Sequence, residues 1–168
     1  MRRDASPRRQ GAGLGGDQAP DRRREAPFRE KAGPPLIFVD ANVFMYFVGS
    51  ENPRRDEARS FFERSRERNT PLVTSAEILQ ELLHVYVSRD QLHRLRPAFD
   101  LVEATVTEVW SVHREDVQTA CNMVVQHPEL EARDLVHLAC CIRREPDDLM
   151  TFDRALAAAW RSRSPRKS

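Results

Sequence analysis

The sequence predicts an α/β fold in which a parallel sheet is covered by helices on both faces. Three observations carry this. Short apolar runs, too brief for globular helices, alternate along the chain with longer segments of helical periodicity. The first run, Leu36-Ile37-Phe38-Val39, is apolar at every position, as a strand buried on both faces requires. It stops abruptly on a carboxylate, Asp40, and in open α/β sheets ligands bind just outside the carboxyl ends of the strands.

The elements follow in order. Asn42 is placed to cap a short apolar helix over 43–48, which Gly49-Ser50-Glu51-Asn52-Pro53 breaks. Asn52 as N-cap and Pro53 at the first helical position open the next helix, running to about Asn69. That helix is mostly charged, with Ala58, Phe61 and Phe62 turned inward. Pro71-Leu72-Val73-Thr74 is a second strand. Thr74-x-x-Glu77 fits a capping box for a helix through Val87, whose apolar face is Ile78, Leu79, Leu82, Leu83, Val85 and Tyr86. Residues 91–104 make another helix, kinked or restarted at Pro97. A third strand is expected over 106–112, helices over 114–126 and 131–144, a fourth strand over 148–152 and a short helix over 153–160.

Charge divides the chain unevenly. Residues 1–36 hold nine Lys/Arg against five Asp/Glu, residues 161–168 hold four Lys/Arg and no acid, and the body between is acidic. Residues 1–35 carry five of the six glycines and five of the eleven prolines, and are expected to be disordered. The domain expected to fold is 36–160, followed by a basic tail over 161–168. Basic tails suit phosphates, and an acidic body suits a cation.

Cys121, Cys140 and Cys141 have no metal-ligand spacing and read as small core residues in a reducing compartment. No stretch approaches a membrane span and the N-terminus lacks an apolar signal region, so a soluble cytoplasmic protein is expected. Lys31 and Lys167 are the only lysines. That excludes from the body the lysine on which phosphoaspartate enzymes, P-loop enzymes and Schiff-base enzymes depend. The G-x-S-x-G elbow of serine hydrolases is also absent.

Four acids stand out by position. Asp40 ends the first strand, Glu81 borders the apolar face of the helix after strand two, Asp134 lies in the first turn of a buried-looking helix, and Asp153 follows strand four. A buried carboxylate is costly unless paired or metal-bound. At about 5 Å and an effective dielectric near 20, each ionised pair costs on the order of 3 kcal/mol. Hard divalent cations with oxygen ligands relieve such repulsion. Asp134 and Asp153 also suit helix N-termini, whereas a strand tip offers Asp40 no propensity advantage.

Four segments, in this order and spacing, resemble the PIN-domain family, and most closely its VapC-like ribonuclease toxins. They are Ile37-Phe38-Val39-Asp40-Ala41-Asn42, Thr74 through Leu83, Ala132-Arg133-Asp134-Leu135-Val136-His137-Leu138-Ala139, and Met150-Thr151-Phe152-Asp153. The resemblance spans roughly residues 36–157. It implies a three-layer α/β/α sandwich with a parallel sheet of four to five strands. It implies a metal-dependent endoribonuclease using Mg²⁺ or Mn²⁺, with Asp40, Glu81, Asp134 and Asp153 as the catalytic, metal-binding acids.

Asn42 and Thr151 match polar positions bordering that site. His137 matches a histidine of the third motif and is expected to be structural or to support the ligands, since it turns about 60° from Asp134 on an ideal helix. An RNA substrate, a cognate antitoxin and a homodimer are family expectations. Phe61 and Phe62 are candidates for an antitoxin groove, with core packing the preferred reading. The sequence departs from the pattern in lacking an apolar strand after Asp153. This leaves, as the alternative, a catalytically inactive PIN-like module that binds RNA or protein.

Overall fold

A computed structural model describes residues 33–163. Most of the basic N-terminal segment 1–35 and the end of the 161–168 tail therefore lie outside the described residues. Among the described residues, four strands form one parallel sheet: β1 (Ile37–Val39), β2 (Leu72–Ser75), β3 (Glu108–Trp110) and β4 (Asp148–Met150). Their spatial order is β3-β2-β1-β4. Phe38 is registered between Val73 of β2 and Leu149 of β4.

The helices are α1 (Ala41–Val48), α2 (Pro53–Glu67), α3 (Ala76–Ser88), α4 (Leu92–Thr105), α5 (Arg114–Met123), α6 (Ala132–Arg144) and α7 (Arg154–Ser162). The two crossovers β1→β2 and β2→β3 step the same way, so right-handedness places α1–α4 on one face. The crossover β3→β4 steps back, which places α5 and α6 on the other. The result is the α/β/α sandwich the resemblance implied. Strand order reverses at β1, with β2 on one side and β4 on the other, and this makes the carboxyl end of β1 the topological switch point.

The core explains the sequence pattern. Phe38, Val39, Leu72 and Val73 are at most 2% exposed between the helical layers. From α2, Phe61 and Phe62 are buried, and Phe62 stacks with Phe44 at 5.6 Å and Phe47 at 5.5 Å. Core packing thus accounts for both α2 phenylalanines.

Several local expectations are corrected. Asp40, not Asn42, caps α1: its Oδ1 accepts from the Ala41 amide at 2.8 Å, because the chain passes from strand to helix with no intervening loop. Ser75, not Thr74, caps α3 through the Ile78 amide. Thr74 remains in β2, fully buried, and donates to the Val39 carbonyl at 2.9 Å, so no Thr74–Glu77 box forms. Helix α4 runs unbroken through Pro97. β3 is shorter than 106–112 because the Val106 amide still belongs to α4, donating to Val102. Cys121 is exposed on α5, unlike the buried Cys140 and Cys141.

Candidate active site

The site assembles where β1 and β4 end side by side. Asp40, only 5% exposed, accepts on Oδ2 from the Asn42 side-chain Nδ2 and the Thr151 hydroxyl, each at 2.6 Å. Asn42 also donates to Thr151 Oγ1 at 3.1 Å and accepts on Oδ1 from the Phe152 amide at 3.0 Å. Thr151 Oγ1 in turn accepts from the Asp153 amide at 2.9 Å. One hydrogen-bond net therefore clasps the tips of β1 and β4 and fixes the orientation of Asp40. The polar positions Asn42 and Thr151 both belong to it.

The other acids arrive from helices. α3 brings Glu81, whose Oε2 lies 3.2 Å from Nε2 of His137 on α6. One donor atom each from Asp40, Glu81 and His137 lie within 4.8 Å of one another, close enough for a single cation to draw together. Asp134 is half-buried in the first turn of α6, where Oδ2 accepts from the Glu131 amide at 3.1 Å. Asp153 caps α7 through the Leu156 amide at 2.8 Å. These last two stand outside the 4.8 Å group but within electrostatic reach of it. No ion needs to be invoked to explain their helix-end positions.

Electrostatics bind the set together. Burial pushes Asp40 up to about 6, and Glu81 adds to this, against His137, Thr151 and the Ala41 amide. Asp134 is also raised, first by burial and then by Asp153 and Glu81. Burial disfavours the charged form of His137, yet its Glu81 hydrogen bond and the Asp40 and Asp134 carboxylates outweigh this and raise it. Among the described residues no lysine or arginine pairs with Asp40. The donor set thus carries excess negative charge around a buried Asp40, which is the chemistry that a divalent cation fits.

His137, expected to be structural or to support the ligands, meets Glu81 directly. It is 1% exposed and its ring faces Glu81 rather than lying apart from the acids. The signal was present, since residues three apart share a helix face. Glu77, freed of any capping role, lies 3.8 Å from Arg133 beside the centre.

Residues 37–160 match the PIN domain family. The chain belongs to the PIN-domain family. Its curated relatives include Ribonuclease VapC23 of Mycobacterium tuberculosis, 51% identical over 127 residues, which span 76% of this chain and all of that one. A VapC ribonuclease of Mycobacterium bovis is 37% identical over 119 residues, 71% of this chain and 91% of its own. Among solved structures, Mycobacterium tuberculosis VapC20, described as a sarcin–ricin loop cleaving toxin, matches with a TM-score of 0.62 at 21% identity, covering 73% of this chain and 94% of that one. VapBC2 from Rickettsia felis, bound to a fragment of its promoter DNA, matches at 0.55 and 14% identity, covering 70% and 87%. At these identities the structural matches speak for the PIN fold.

Proposed function

We infer that this PIN-domain protein is a VapC-type endoribonuclease, the toxin of a toxin–antitoxin pair. The observation that carries this is the grouping of Asp40, Glu81 and His137 at the switch point, in a chain half identical to a VapC ribonuclease. The retained acids count against the inactive binding module.

We propose Mg²⁺ or Mn²⁺ as the cofactor, held by Asp40 and Glu81 with Asp134 and Asp153 completing the acidic wall. When bound, such a cation makes a water more acidic and offsets charge on the phosphodiester oxygens. The chain's own residues do the positioning. Asn42 and Thr151 hold the Asp40 carboxylate in one orientation, and His137 holds that of Glu81. The packed walls around Asp40 exclude water, which strengthens every charge interaction there.

The partners that fit this reading are an RNA substrate, a cognate antitoxin and a second copy of the chain. Leu83 and Val87 of α3 with Leu92 of α4 are 46%, 54% and 56% exposed, an apolar surface available to that second copy. No described helix is long and apolar enough to cross a membrane, and the cytoplasm is the compartment we propose. The deciding experiment is cleavage of single-stranded RNA by purified protein in Mg²⁺ or Mn²⁺, set against Asp40→Asn. Equal cleavage by the two would end the proposal.

A further inference from the structure

Beside the acid centre lies a pocket of opposite chemistry. Asn42, which anchors Asp40, also lines a cavity of about 360 Å³ between α1, the end of α3 and the start of α4. That volume is at the lower end for small-ligand sites, room for a base and its sugar. The body of the chain is acidic, yet the cavity wall contains Arg89 and Arg94 and no carboxylate.

Two further features point to a ligand. Tyr86 lines this cavity at 3% exposure, and its hydroxyl is buried with no hydrogen-bond partner. A buried hydroxyl left unpaired is unfavourable and needs a reason. Both arginines lie close enough to act on the phenol electrostatically, and Arg94 is held in place by donating to Ser50 Oγ at 3.0 Å.

A second tyrosine, Tyr46, also lines the cavity and is held in place from outside it. Tyr46 meets Phe152 edge-on at 5.1 Å, and the Arg54 guanidinium lies over the Tyr46 ring at 5.1 Å while donating to its hydroxyl. Phe152 is the residue whose amide Asn42 holds, immediately before Asp153. Asn42 is thus common to the pocket and the acid centre.

We propose that this pocket is a nucleotide subsite, which receives the RNA residue next to the scissile phosphodiester. Tyr86 and Gln91 meet polar groups of its base, Tyr46 offers aromatic contact, and Arg89 and Arg94 meet a phosphate. Arginines alone would equally suit the carboxylates of an acidic peptide. The two tyrosines of the lining, the unpaired phenol and the shared Asn42 favour RNA. The assignment rests on the ribonuclease reading above.

The test uses Asp40→Asn, so that binding is separated from cutting, and a 5′-fluorescein-labelled single-stranded RNA of randomised sequence read by anisotropy. In that background, Arg94→Ala should weaken binding about tenfold and lower the slope of log affinity against log salt by about 0.7, the loss of one phosphate contact. Tyr86→Phe keeps the packed ring and should weaken binding about fivefold while the melting temperature stays the same or rises, since an unpaired buried hydroxyl is removed. With Asp40 intact, both variants should raise KM and leave kcat nearly unaltered. Unaltered affinity and salt slope, with wild-type protein still cutting RNA, overturn the subsite and leave the ribonuclease reading standing. Wild-type protein that neither binds nor cuts RNA overturns both. Binding of a polyglutamate peptide in preference to the RNA also overturns the subsite, in favour of an acidic protein partner.

Discussion

Two buried aspartates in this molecule have been given opposite surroundings. Asp116, in the first turn of α5, is 1% exposed, and Asp40 is 5% exposed. Both Asp116 oxygens accept from the Arg143 guanidinium on α6, and Oδ2 also accepts from the His113 amide. Burial works against its charge, but Arg143, the His113 amide and Arg144 outweigh burial and hold it at about 2. Asp40 has neutral donors on both oxygens and another acid nearby, and burial takes it to about 6. Both side chains are shielded from solvent. The difference is a built-in permanent counter-charge, which makes one carboxylate a structural tie between helices and leaves the other to a cation.

The largest expected contrast is in catalysis. Asp40→Asn should lower the rate of RNA cleavage at least about a hundredfold, the scale of removing one positioned charge from a reacting centre. Asp116→Asn, assayed at a temperature where it stays folded, should retain most of the rate. A comparable loss from both would break the division into working and structural carboxylates.

Stability should reverse that order. Asp116→Asn leaves Arg143 and Arg144 facing an uncharged amide, and a broken buried pair is strongly destabilising. Arg143 is about a third exposed, so solvent softens the loss to about 3 kcal/mol in chemical denaturation. Asp40→Asn in EDTA should be neutral or stabilising, because it removes a charge that burial opposes.

The contrast sharpens with pH. Unfolded Asp40 releases its proton near 3.8, whereas the native carboxyl holds it to about 6. The native state binds more protons in that window, so this group's contribution to stability falls as pH rises from 3.8 to 6. Asp116 has the opposite sign, with its contribution present above 3.8 and lost as pH falls towards 2. Melting of metal-free protein should therefore show Asp40→Asn gaining on wild type between about pH 4 and 6, reaching about 2 kcal/mol and then levelling. A gap that is flat with pH would mean that Asp40 has a charged partner after all.

This pair of aspartates also marks what could be seen in the sequence. Asp40 was legible because strand propensity does not account for an acid that closes a fully apolar run, its capping of α1 having been assigned to Asn42, and the alternation of strand and helix placed it in a parallel sheet. Asp116 was not singled out, since its partner lies 27 residues away on the next helix and charged residues in a first helical turn are common. The caps were misassigned by one or two positions at Asn42 and Thr74. Asp, Asn, Ser and Thr can all cap, and the choice depends on where strand pairing stops, which is a tertiary fact. Glu81 and Asp134 were singled out by motif and helix face, and of the two only Glu81 joins the 4.8 Å group, together with His137, because about 60° of helical rotation is small against the reach of a side chain. Cys121 was misplaced because a small apolar residue on an amphipathic helix gives little indication of which face it occupies.

The smallest effect concerns the net around Asp40. Thr151 donates to Asp40 Oδ2 and accepts from the Asp153 amide, so it orients one acid and seats the helix cap of another. Thr151→Val keeps the shape and removes these two bonds together with the one the hydroxyl accepts from the Asn42 side chain. Loss of the donor should raise the Asp40 pKa further, because the hydrogen bond favours its charged form. The expected cost is about 1 kcal/mol of stability, since the neighbouring Asn42 still holds the same oxygen. The fall in cleavage should be deepest at acidic pH, where a higher Asp40 pKa leaves more of the carboxyl protonated, and should shrink above about pH 7. Thr151→Ser, which retains the hydroxyl, should restore the wild-type pH profile. A uniform loss at every pH, unrelieved by serine, would mean that Thr151 acts through packing and leaves the charge of Asp40 untouched.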